Sequence, residues 1–290
     1  MSGKDRREKE EPGLQKIRMI ALDLDGTTLD DESRLPVRTK RVLERAVASG
    51  IYVLAASGRA YTSLPQEILD VRGLSYAITS NGAATYDIRN KKRCFGWTIE
   101  EEKAKSLLEL IKEEPGTAVE VFVDGQPYAP AAYLEDPEQY GAPSRAVAYL
   151  RRTRLPFENA EEFILSHCGE LDSVDIITQS PLEKAQWIEK LQKTGGLYVT
   201  SSVSYRLEIS NEKGGKGAAL REAAERLGVK PEEIIAFGNA ENDMDMIRFA
   251  GLGVAVANSP ETVRQCADRI APPNTEEGVA QVLEEILFSS

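Results

Sequence analysis

Short apolar segments alternate with amphipathic helical segments near both ends of this chain, and that alternation constrains its fold more than any other feature. The segments predicted to be strands are 17–24, 51–56, 76–79, 234–237 and 254–257. The helices predicted between and after them include 36–49, 216–227 and 276–288. Strands and helices in this order form βαβ units, which build a parallel sheet with helices on both faces. The predicted fold class is therefore α/β, with a doubly wound parallel-sheet core.

The middle of the chain has a different pattern. Asp124–Gly125 lies between two short apolar segments, which is typical of a β-hairpin. A helix is predicted at about 182–193, followed by strands at 197–201 and 205–210. This part of the chain is therefore expected to be a mixed α+β unit rather than a continuation of the parallel sheet.

These patterns divide the chain into three parts. The core domain is predicted to be discontinuous, built from 16–85 and 205–290, with an α+β cap domain inserted at 86–204. Residues 1–15 carry charges of both signs and almost no apolar side chains, so they are expected to form a disordered tail. Near the end of the chain, Ser259 is predicted to cap a helix that has Pro260 at its first position.

Charge and composition exclude several classes of function. The 47 acidic and 36 basic residues give a net charge of −11, which argues against nucleic-acid binding because that needs a basic face. No apolar run approaches the length of a membrane span, and no apolar signal segment is present, so a cytoplasmic protein without membrane contact is expected. The three cysteines are widely spaced and form no CxxC pair, which argues against a disulfide framework or a cysteine zinc site.

Polar side chains and tight turns follow the predicted strands. The turns are Asp23–Gly26, Ser57–Gly58, Asn81–Gly82 and Gly238–Asn239. In a doubly wound sheet, the carboxyl ends of the strands line one ligand crevice, so residues far apart in the chain can meet there. Turn chemistry alone also favours such residues. Their repetition at strand ends, together with paired carboxylates, indicates a functional site.

Asp23 and Asp25 are the sharpest feature of this set. Residues two apart in an extended chain point to the same side, so the two carboxylates are presented together. Hard oxygen ligands of this kind suit Mg²⁺, and a carboxylate can also attack phosphorus to form an aspartyl-phosphate. The alternative is a solvated Asp-Gly turn. It is disfavoured because Asp23 closes an apolar strand, where an unpaired charge is costly.

Four motifs in order resemble those of the haloacid dehalogenase (HAD) superfamily. They are Asp23–Thr27, Ser57–Arg59, Lys216–Gly217 and Gly238–Asp243. The resemblance covers about 17–288, and the insert before Lys216 is similar to that of the Cof-type phosphatase branch, which includes sugar-phosphate phosphatases. It implies a HAD-like Rossmannoid core, a Mg²⁺ cofactor and a phosphatase activity. No nucleotide P-loop motif is present.

The resemblance also implies a role for each matching residue. Asp23 is the expected nucleophile, and Asp25 is the expected general acid and base. Mg²⁺ is expected to contact Asp23, the backbone carbonyl of Asp25, and residue 239. The expected phosphate-binding groups are the Leu24 and Gly58 backbone N–H groups, the Ser57 hydroxyl, Lys216 and Asn242. Lys213 is a rival for the lysine role, but Lys216 lies directly before the glycine and helix that the family pattern requires.

Asn239 departs from the family pattern, which usually has aspartate at this position. An amide oxygen can still bind Mg²⁺, but without a negative charge, so weaker metal binding is expected. Asp243 is expected to compensate from behind the metal ligands or to replace Asn239 as a ligand. Asn242 has an alternative reading as a helix N-cap.

The function that these features predict is Mg²⁺-dependent hydrolysis of a small phosphorylated metabolite, with a sugar phosphate favoured, through an aspartyl-phosphate. Two alternatives remain open. One is a phosphomutase or phosphotransferase on the same core, and the other is a catalytically weak regulatory or binding protein, because Asn239 replaces the usual aspartate. Arg59 is interpreted as structural, Asn258 as supporting the loop beside the metal, and His167 as an ordinary side chain. Trp97 and Trp187 are interpreted as packing residues.

Overall fold

Two β-sheets organise residues 17–289, the part of the chain that the computed structural model describes. The predicted tail, 1–15, lies outside the described residues. The strands are β1 Met19–Asp23, β2 Tyr52–Ala56, β3 Tyr76–Thr79, β4 Ala84–Asp87, β5 Lys92–Gly96, β6 Val119–Val123, β7 Gln126–Pro130, β8 Leu155–Phe157, β9 Leu171–Ile177, β10 Leu197–Thr200, β11 Arg206–Asn211, β12 Ile234–Gly238, β13 Leu252–Val256 and β14 Arg269–Ala271. The helices are α1 Val37–Ala48, α2 Gln66–Leu69, α3 Glu101–Lys112, α4 Ala131–Glu135, α5 Ser144–Thr153, α6 Ala160–Ser166, α7 Pro181–Thr194, α8 Lys216–Leu227, α9 Met244–Phe249, α10 Glu261–Arg264 and α11 Gly278–Phe288.

The large sheet has the strand order β14-β13-β12-β1-β2-β3-β4-β5. Its strands from β14 to β3 are parallel, and β4 and β5 continue it in antiparallel fashion. Chain order and sheet order differ because β12 to β14, from the end of the chain, pair beside β1. The predicted α/β fold with a parallel-sheet core is confirmed, and β1 and β12 lie side by side at its centre.

Alternate residues of β1 pack on opposite faces of the large sheet. Ile20 and Leu22 belong to the apolar core that contains residues of α1 and α11. Met19 and Ala21 belong to the core on the other face, with residues of α8 and α9. A central parallel strand covered on both sides needs a continuous apolar run, and β1 has one. The doubly wound arrangement follows from that run.

The small sheet has the order β10-β11-β9-β6-β7-β8 and is antiparallel except for β7 and β8. One face packs its apolar side chains on α3, α6 and α7. The other face carries a row of buried carboxylates on three neighbouring strands, Glu120, Asp175 and Glu208. None of the helices within 17–289 is long and apolar enough to cross a bilayer.

The chain passes from one sheet to the other at positions that differ from the predicted boundaries of the inserted domain, 86 and 204. β4 and β5 lie beyond residue 85 but extend the large sheet, because β4 pairs with β3 as a hairpin. β11 begins after 204 but pairs with β9 in the small sheet. The passage between sheets therefore falls between Gly96 and Val119 and again between Asn211 and Ile234. The prediction that Ser259 is a helix N-cap is also wrong. The helix begins at Glu261, and its N-cap is Pro260.

β9 was not predicted, although it is the most buried strand of the small sheet. Its sequence contains two aspartates, Asp172 and Asp175, which disfavour a buried strand when only local pattern is considered. Tertiary partners offset that cost. Asp172 accepts hydrogen bonds from the Arg93 guanidinium at 2.7 Å and from a backbone N–H at 2.7 Å.

Two arginines pair with the carboxylate row of the small sheet. Arg154 donates to one oxygen of Glu120 through Nε at 3.0 Å and through Nη2 at 2.6 Å. Arg206 lies within 3.5 Å of Glu120 and within 3.4 Å of Asp175, and it donates to Glu208 at 2.8 Å. Buried charges are tolerated only when they are paired in this way.

Replacing Arg154 with methionine should leave the Glu120 carboxylate buried with much weaker compensation. Arg154→Met is therefore expected to lower the free energy of unfolding by about 3–5 kcal/mol, measured by urea denaturation. Lys105→Met is the control, because Lys105 pairs with Glu101 on the solvent-exposed side of α3 and its loss should matter far less. A loss below about 1 kcal/mol for Arg154→Met would mean that Arg206 alone suffices for Glu120.

Candidate active site

Most of the predicted site residues line one crevice of about 1290 Å³. The exceptions are Leu24, Lys216 and Asp243, which are buried and do not line it. The ends of β1, β2 and β12 supply Asp23, Ser57 and Asn239 to its lining. Residues of α5, from the side of the small sheet, line it as well. The crevice therefore lies at the carboxyl ends of the parallel strands, as expected for a doubly wound sheet.

Asp23 ends β1 with its side chain almost completely buried. One carboxylate oxygen accepts a hydrogen bond from the Lys216 ammonium at 2.6 Å, and the other accepts one from the Thr27 hydroxyl at 2.7 Å. Burial raises the pKa of Asp23, and the nearby Asp243 carboxylate adds to this, whereas Lys216 and Thr27 oppose it. The two hydrogen bonds fix the carboxylate in one orientation.

Lys216 is the first residue of α8, and it is buried rather than solvent-exposed. Its ammonium donates to Asp23 and to Asp243, each at 2.6 Å. Burial alone would lower the pKa of Lys216, but the two carboxylates raise it above its ordinary value, so the side chain is cationic. The rival Lys213 is exposed and lies outside this cluster. The structure therefore favours Lys216 over Lys213.

Asp243 uses both of its carboxylate oxygens within the protein. One accepts from Lys216, and the other accepts from the backbone N–H groups of Asn239 at 2.8 Å and Ala240 at 3.0 Å. These contacts hold the loop after β12 in place. They favour the interpretation of Asp243 as a residue behind the metal ligands over its interpretation as a ligand.

Asp25 is half-exposed and forms an ion pair with Arg59. Arg59 donates through Nε to Asp25 at 2.7 Å and through Nη2 to its other oxygen. The guanidinium also lies over the ring of Tyr149, a residue of α5, at 4.8 Å from the ring centroid. Arg59 was interpreted from the sequence as structural, so its contact with Asp25 was missed. Tyr149 was not singled out at all, because nothing in its local sequence marks it.

Gly26 and Asn239 are in close contact beside Asp25, where the candidate metal site lies. Gly26 has φ +76°, and a Cβ at this position would lie 2.5 Å from the Asn239 amide. Asn239 therefore packs directly on the backbone that follows Asp25. The Asn258 amide donates to the Gly26 carbonyl at 2.8 Å, which confirms its predicted support of this loop. The Asp23 carboxylate, the Asp25 carbonyl and an amide oxygen are the hard oxygen donors that Mg²⁺ prefers, so the residues present fit this ion.

Asn242 lies buried beside the end of β3. Its amide donates to the Asn81 side chain at 2.9 Å, and its own Oδ1 has no hydrogen-bond partner within the described residues. Asn81 also accepts a hydrogen bond through its carbonyl from Gly215, directly before Lys216. Asn81 therefore links the ends of β3, β12 and α8, a role that the sequence indicated only as a turn after a strand.

Ser57 and Gly58 follow β2 at the wall of the crevice. The buried Ser57 hydroxyl accepts a hydrogen bond from the Arg59 N–H at 3.1 Å. A Cβ at Gly58 would lie within 3.3 Å of the side chains of Asn81 and Glu208, so this position favours glycine. Leu24 is fully buried, in the turn between the two candidate catalytic aspartates.

Three residues considered in the sequence analysis lie elsewhere. His167 follows α6 and packs on Phe163, with their ring centroids 4.3 Å apart. Trp187 is buried in the core of the small sheet, and Trp97 contacts Phe95 edge-on. None of the three lines the crevice. Their interpretation as packing residues or ordinary side chains is confirmed.

Comparison with known proteins decides the family. Residues 20–283 match the sequence profile of the haloacid dehalogenase-like hydrolases. The chain belongs to the haloacid dehalogenase-like hydrolase family. The match spans both sheets, so the predicted resemblance is confirmed over nearly the whole described chain.

Individual relatives agree with this assignment. A putative phosphatase of Buchnera aphidicola subsp. Baizongia pistaciae is 30% identical, over 93% of this chain and 98% of its own. A Bacillus subtilis protein named as a 5-amino-6-(5-phospho-D-ribitylamino)uracil phosphatase is 26% identical, over 92% and 94%. The crystal structure of a haloacid dehalogenase-like hydrolase from B. subtilis is 25% identical, with a TM-score of 0.81 over 93% and 100%. The predicted enzyme class, a phosphatase of the haloacid dehalogenase type, is confirmed.

Gly26→Ala tests whether the contact between Gly26 and Asn239 is needed for activity. The added Cβ should displace the Asn239 amide, so we expect activity toward p-nitrophenyl phosphate to fall by roughly ten- to a hundredfold. Gly50→Ala is the matched control, because Gly50 also has positive φ (+85°) but no atom within 4 Å of an added Cβ. Both variants should lose about 1 kcal/mol of stability, and only Gly26→Ala should lose activity. Equal activities would show that Asn239 need not lie against this backbone.

Proposed function

We propose that this family member hydrolyses a small phosphate monoester, with a sugar phosphate favoured, through an aspartyl-phosphate on Asp23. The observation that carries the proposal is the buried carboxylate of Asp23, oriented by Lys216 and Thr27 at the floor of a wide crevice. A nucleophile must be ionised, fixed in direction and open to its substrate. Lys216 favours the ionised form of Asp23, because its charge opposes the increase in the pKa of Asp23 that burial and Asp243 cause.

The first half of the proposed reaction transfers the phosphoryl group to the protein. An Asp23 oxygen forms a bond to phosphorus while the bond from phosphorus to the ester oxygen breaks. Asp25, which is paired with Arg59 in this structure and must first take up a proton from solvent, gives that proton to the leaving oxygen, which departs as an alcohol. Asp25 suits this task because its carboxyl is half-exposed at the crevice, two residues beyond the nucleophile.

The second half restores the protein. Asp25, now a carboxylate, takes a proton from a water molecule as that water attacks phosphorus. The bond between Asp23 and phosphorus breaks, which releases inorganic phosphate and returns Asp23 to its carboxylate form. One group can act as acid and then as base because the first step leaves it deprotonated.

Other residues of the crevice bind the phosphate in this proposal. Lys216 contributes a buried positive charge next to Asp23. Asn242 lines the crevice and is held there by the hydrogen bond from its amide to Asn81. The other proposed phosphate-binding groups are the Ser57 hydroxyl and the backbone N–H groups of Leu24 and Gly58. Phosphoryl transfer depends mainly on alignment and charge stabilisation, which such groups provide.

Mg²⁺ is the proposed cofactor, held by Asp23, the carbonyl of Asp25 and the side chain of Asn239. When bound, this ion would reduce the repulsion between the carboxylates and the phosphate. Asp243 supports the ligand set indirectly, because it fixes the backbone of Asn239 and the ammonium of Lys216. The chain's contribution is to hold these oxygens in place before substrate arrives.

The small sheet and its helices are proposed to form the cap that selects the leaving group. The hairpin turn between β6 and β7 contacts the segment after Arg59, where the Gly125 carbonyl accepts from the Thr62 N–H at 3.0 Å. Residues of α5 line the crevice opposite the ends of the parallel strands. A cap in this position can exclude water and choose substrates.

Asp23→Asn tests the nucleophile. We expect release of phosphate from p-nitrophenyl phosphate to fall below roughly one-thousandth of the wild-type rate, because the amide cannot form the covalent intermediate. Asp70→Asn makes the same change on the surface near α2 and should retain full activity. Near wild-type activity of Asp23→Asn, with both variants folded by circular dichroism, would exclude an aspartyl-phosphate on this residue.

Asn239→Asp tests the metal site. A carboxylate adds one negative charge to the ligand set, so the Mg²⁺ concentration for half-maximal activity should fall by roughly three- to tenfold. The measurement is a Mg²⁺ titration with one substrate at fixed pH and ionic strength. Asn159→Asp is the control, because it adds the same charge at the exposed N-cap of α6. An unchanged midpoint for Asn239→Asp would show that residue 239 is not a metal ligand.

A further inference from the structure

One face of α5 presents two arginines to the crevice. Arg145, Tyr149 and Arg152 are spaced four and three residues apart, so they lie on the same side of the helix. All three line the crevice that contains Asp23. The structure thus places two cationic side chains in the same cavity as the candidate nucleophile.

These two arginines have no partner within the described residues. The side chains of Arg145 and Arg152 are exposed, and neither side chain forms a hydrogen bond, an ion pair or a ring contact there. Two other arginines of this segment that do not line the crevice are both engaged. Arg151 donates to the backbone carbonyls of Leu134 and Glu135, and Arg154 pairs with Glu120. Fold stability therefore accounts for the second pair of arginines and not for the first.

Contacts of Tyr149 hold this face of α5 over the site. The guanidinium groups of Arg59 and Arg154 each lie over its ring, 4.8 Å from the centroid. Arg59 in turn binds Asp25 at 2.7 Å. The face of α5 that carries Arg145 and Arg152 is thus linked to Asp25, the proposed acid for the leaving group.

Another wall of the crevice is acidic. It includes Asp30, Asp31, Glu32 and Glu67, and the arginine nearest to them in sequence, Arg34, is bound to Asp30 and Glu32. An anionic leaving group is repelled by that wall and attracted by free arginines. Guanidinium groups also bind carboxylates and phosphates in bidentate geometry.

We propose that Arg145 and Arg152 bind a second anionic group, a carboxylate or a phosphate, on the leaving group of the substrate. The inference rests on the proposed function and narrows its substrate class to phosphate monoesters that carry negative charge at both ends. The alternative role for these arginines is to help close the crevice through attraction to the acidic wall. The experiment below distinguishes this role from binding of substrate.

Matched pairs of phosphate esters provide the test. 6-Phosphogluconate and sorbitol 6-phosphate differ only in a carboxylate or a hydroxymethyl group at the far end. Fructose 1,6-bisphosphate and fructose 6-phosphate make the same comparison with a second phosphate. We expect the wild-type kcat/KM to be at least tenfold higher for the doubly anionic member of one pair, and that preference to shrink as salt is added. The pair that shows the preference identifies the second anion as carboxylate or phosphate.

The double variant Arg145→Gln, Arg152→Gln should lose this preference. Its kcat/KM for the preferred ester with two anionic groups should fall at least tenfold, mainly through KM. Its kcat/KM for the matched ester with one anionic group should change less than twofold. The control double variant Arg41→Gln, Arg72→Gln removes the same charge from exposed side chains outside the crevice and should behave as wild type.

Four results would overturn the inference. Equal losses on both members of a pair would assign the arginines to crevice closure, and no loss on either would exclude contact with substrate. If the wild-type protein hydrolysed the esters with one anionic group and showed no preference for their partners with two, the inference would be rejected and the proposed function would stand. If the wild-type protein released phosphate from none of these esters and none from p-nitrophenyl phosphate, the proposed function would fail, and the inference with it.

Discussion

The site depends on one buried ion cluster, in which the Lys216 ammonium lies between the carboxylates of Asp23 and Asp243. It joins residues that are 193 positions apart in the chain. Each member requires the others, because an unpaired charge at this depth would be strongly destabilising. The pairing of β1 from one chain end with β12 from the other brings the two carboxylates to one ammonium.

A second set of charges organises the roof of the crevice. The small sheet buries carboxylates on the face away from its helical core, and Arg154 and Arg206 neutralise them. Arg154 and Arg59 each lie over the ring of Tyr149, at 4.8 Å from its centroid. The polar interior of the small sheet is thereby linked to Asp25 through a short chain of contacts. Selection of a leaving group and proton transfer to it therefore involve neighbouring side chains in the proposed mechanism.

The extent to which local sequence predicted the site differs from residue to residue. Asp23, Asp25 and Lys216 were found because they follow a buried strand or begin a helix in a recognisable motif. Asp23 and Asp25 line the crevice, and the buried Lys216 donates a hydrogen bond to Asp23. Arg59 was interpreted as structural, and Asn81 as part of a turn near the crevice. Their partners are 34 and 161 residues away in sequence, so no short-range pattern reports them. The arginines of α5 were not noticed, because exposed arginines on a helix are unremarkable until the cavity that they line is known.

By itself, the sequence determined the fold class, the parallel core and the strand ends that carry the candidate catalytic groups. Those features follow from apolar runs and turn residues, which act over a few positions along the chain. Only the tertiary structure decided where the strands change sheet, that β9 is a strand despite Asp172 and Asp175, and which cations face the crevice. The physical reason is that each of these features depends on segments that are far apart in the chain. The aspartates of β9, for example, are compatible with burial only because partners from distant segments pair with them, and those partners are specified by the fold.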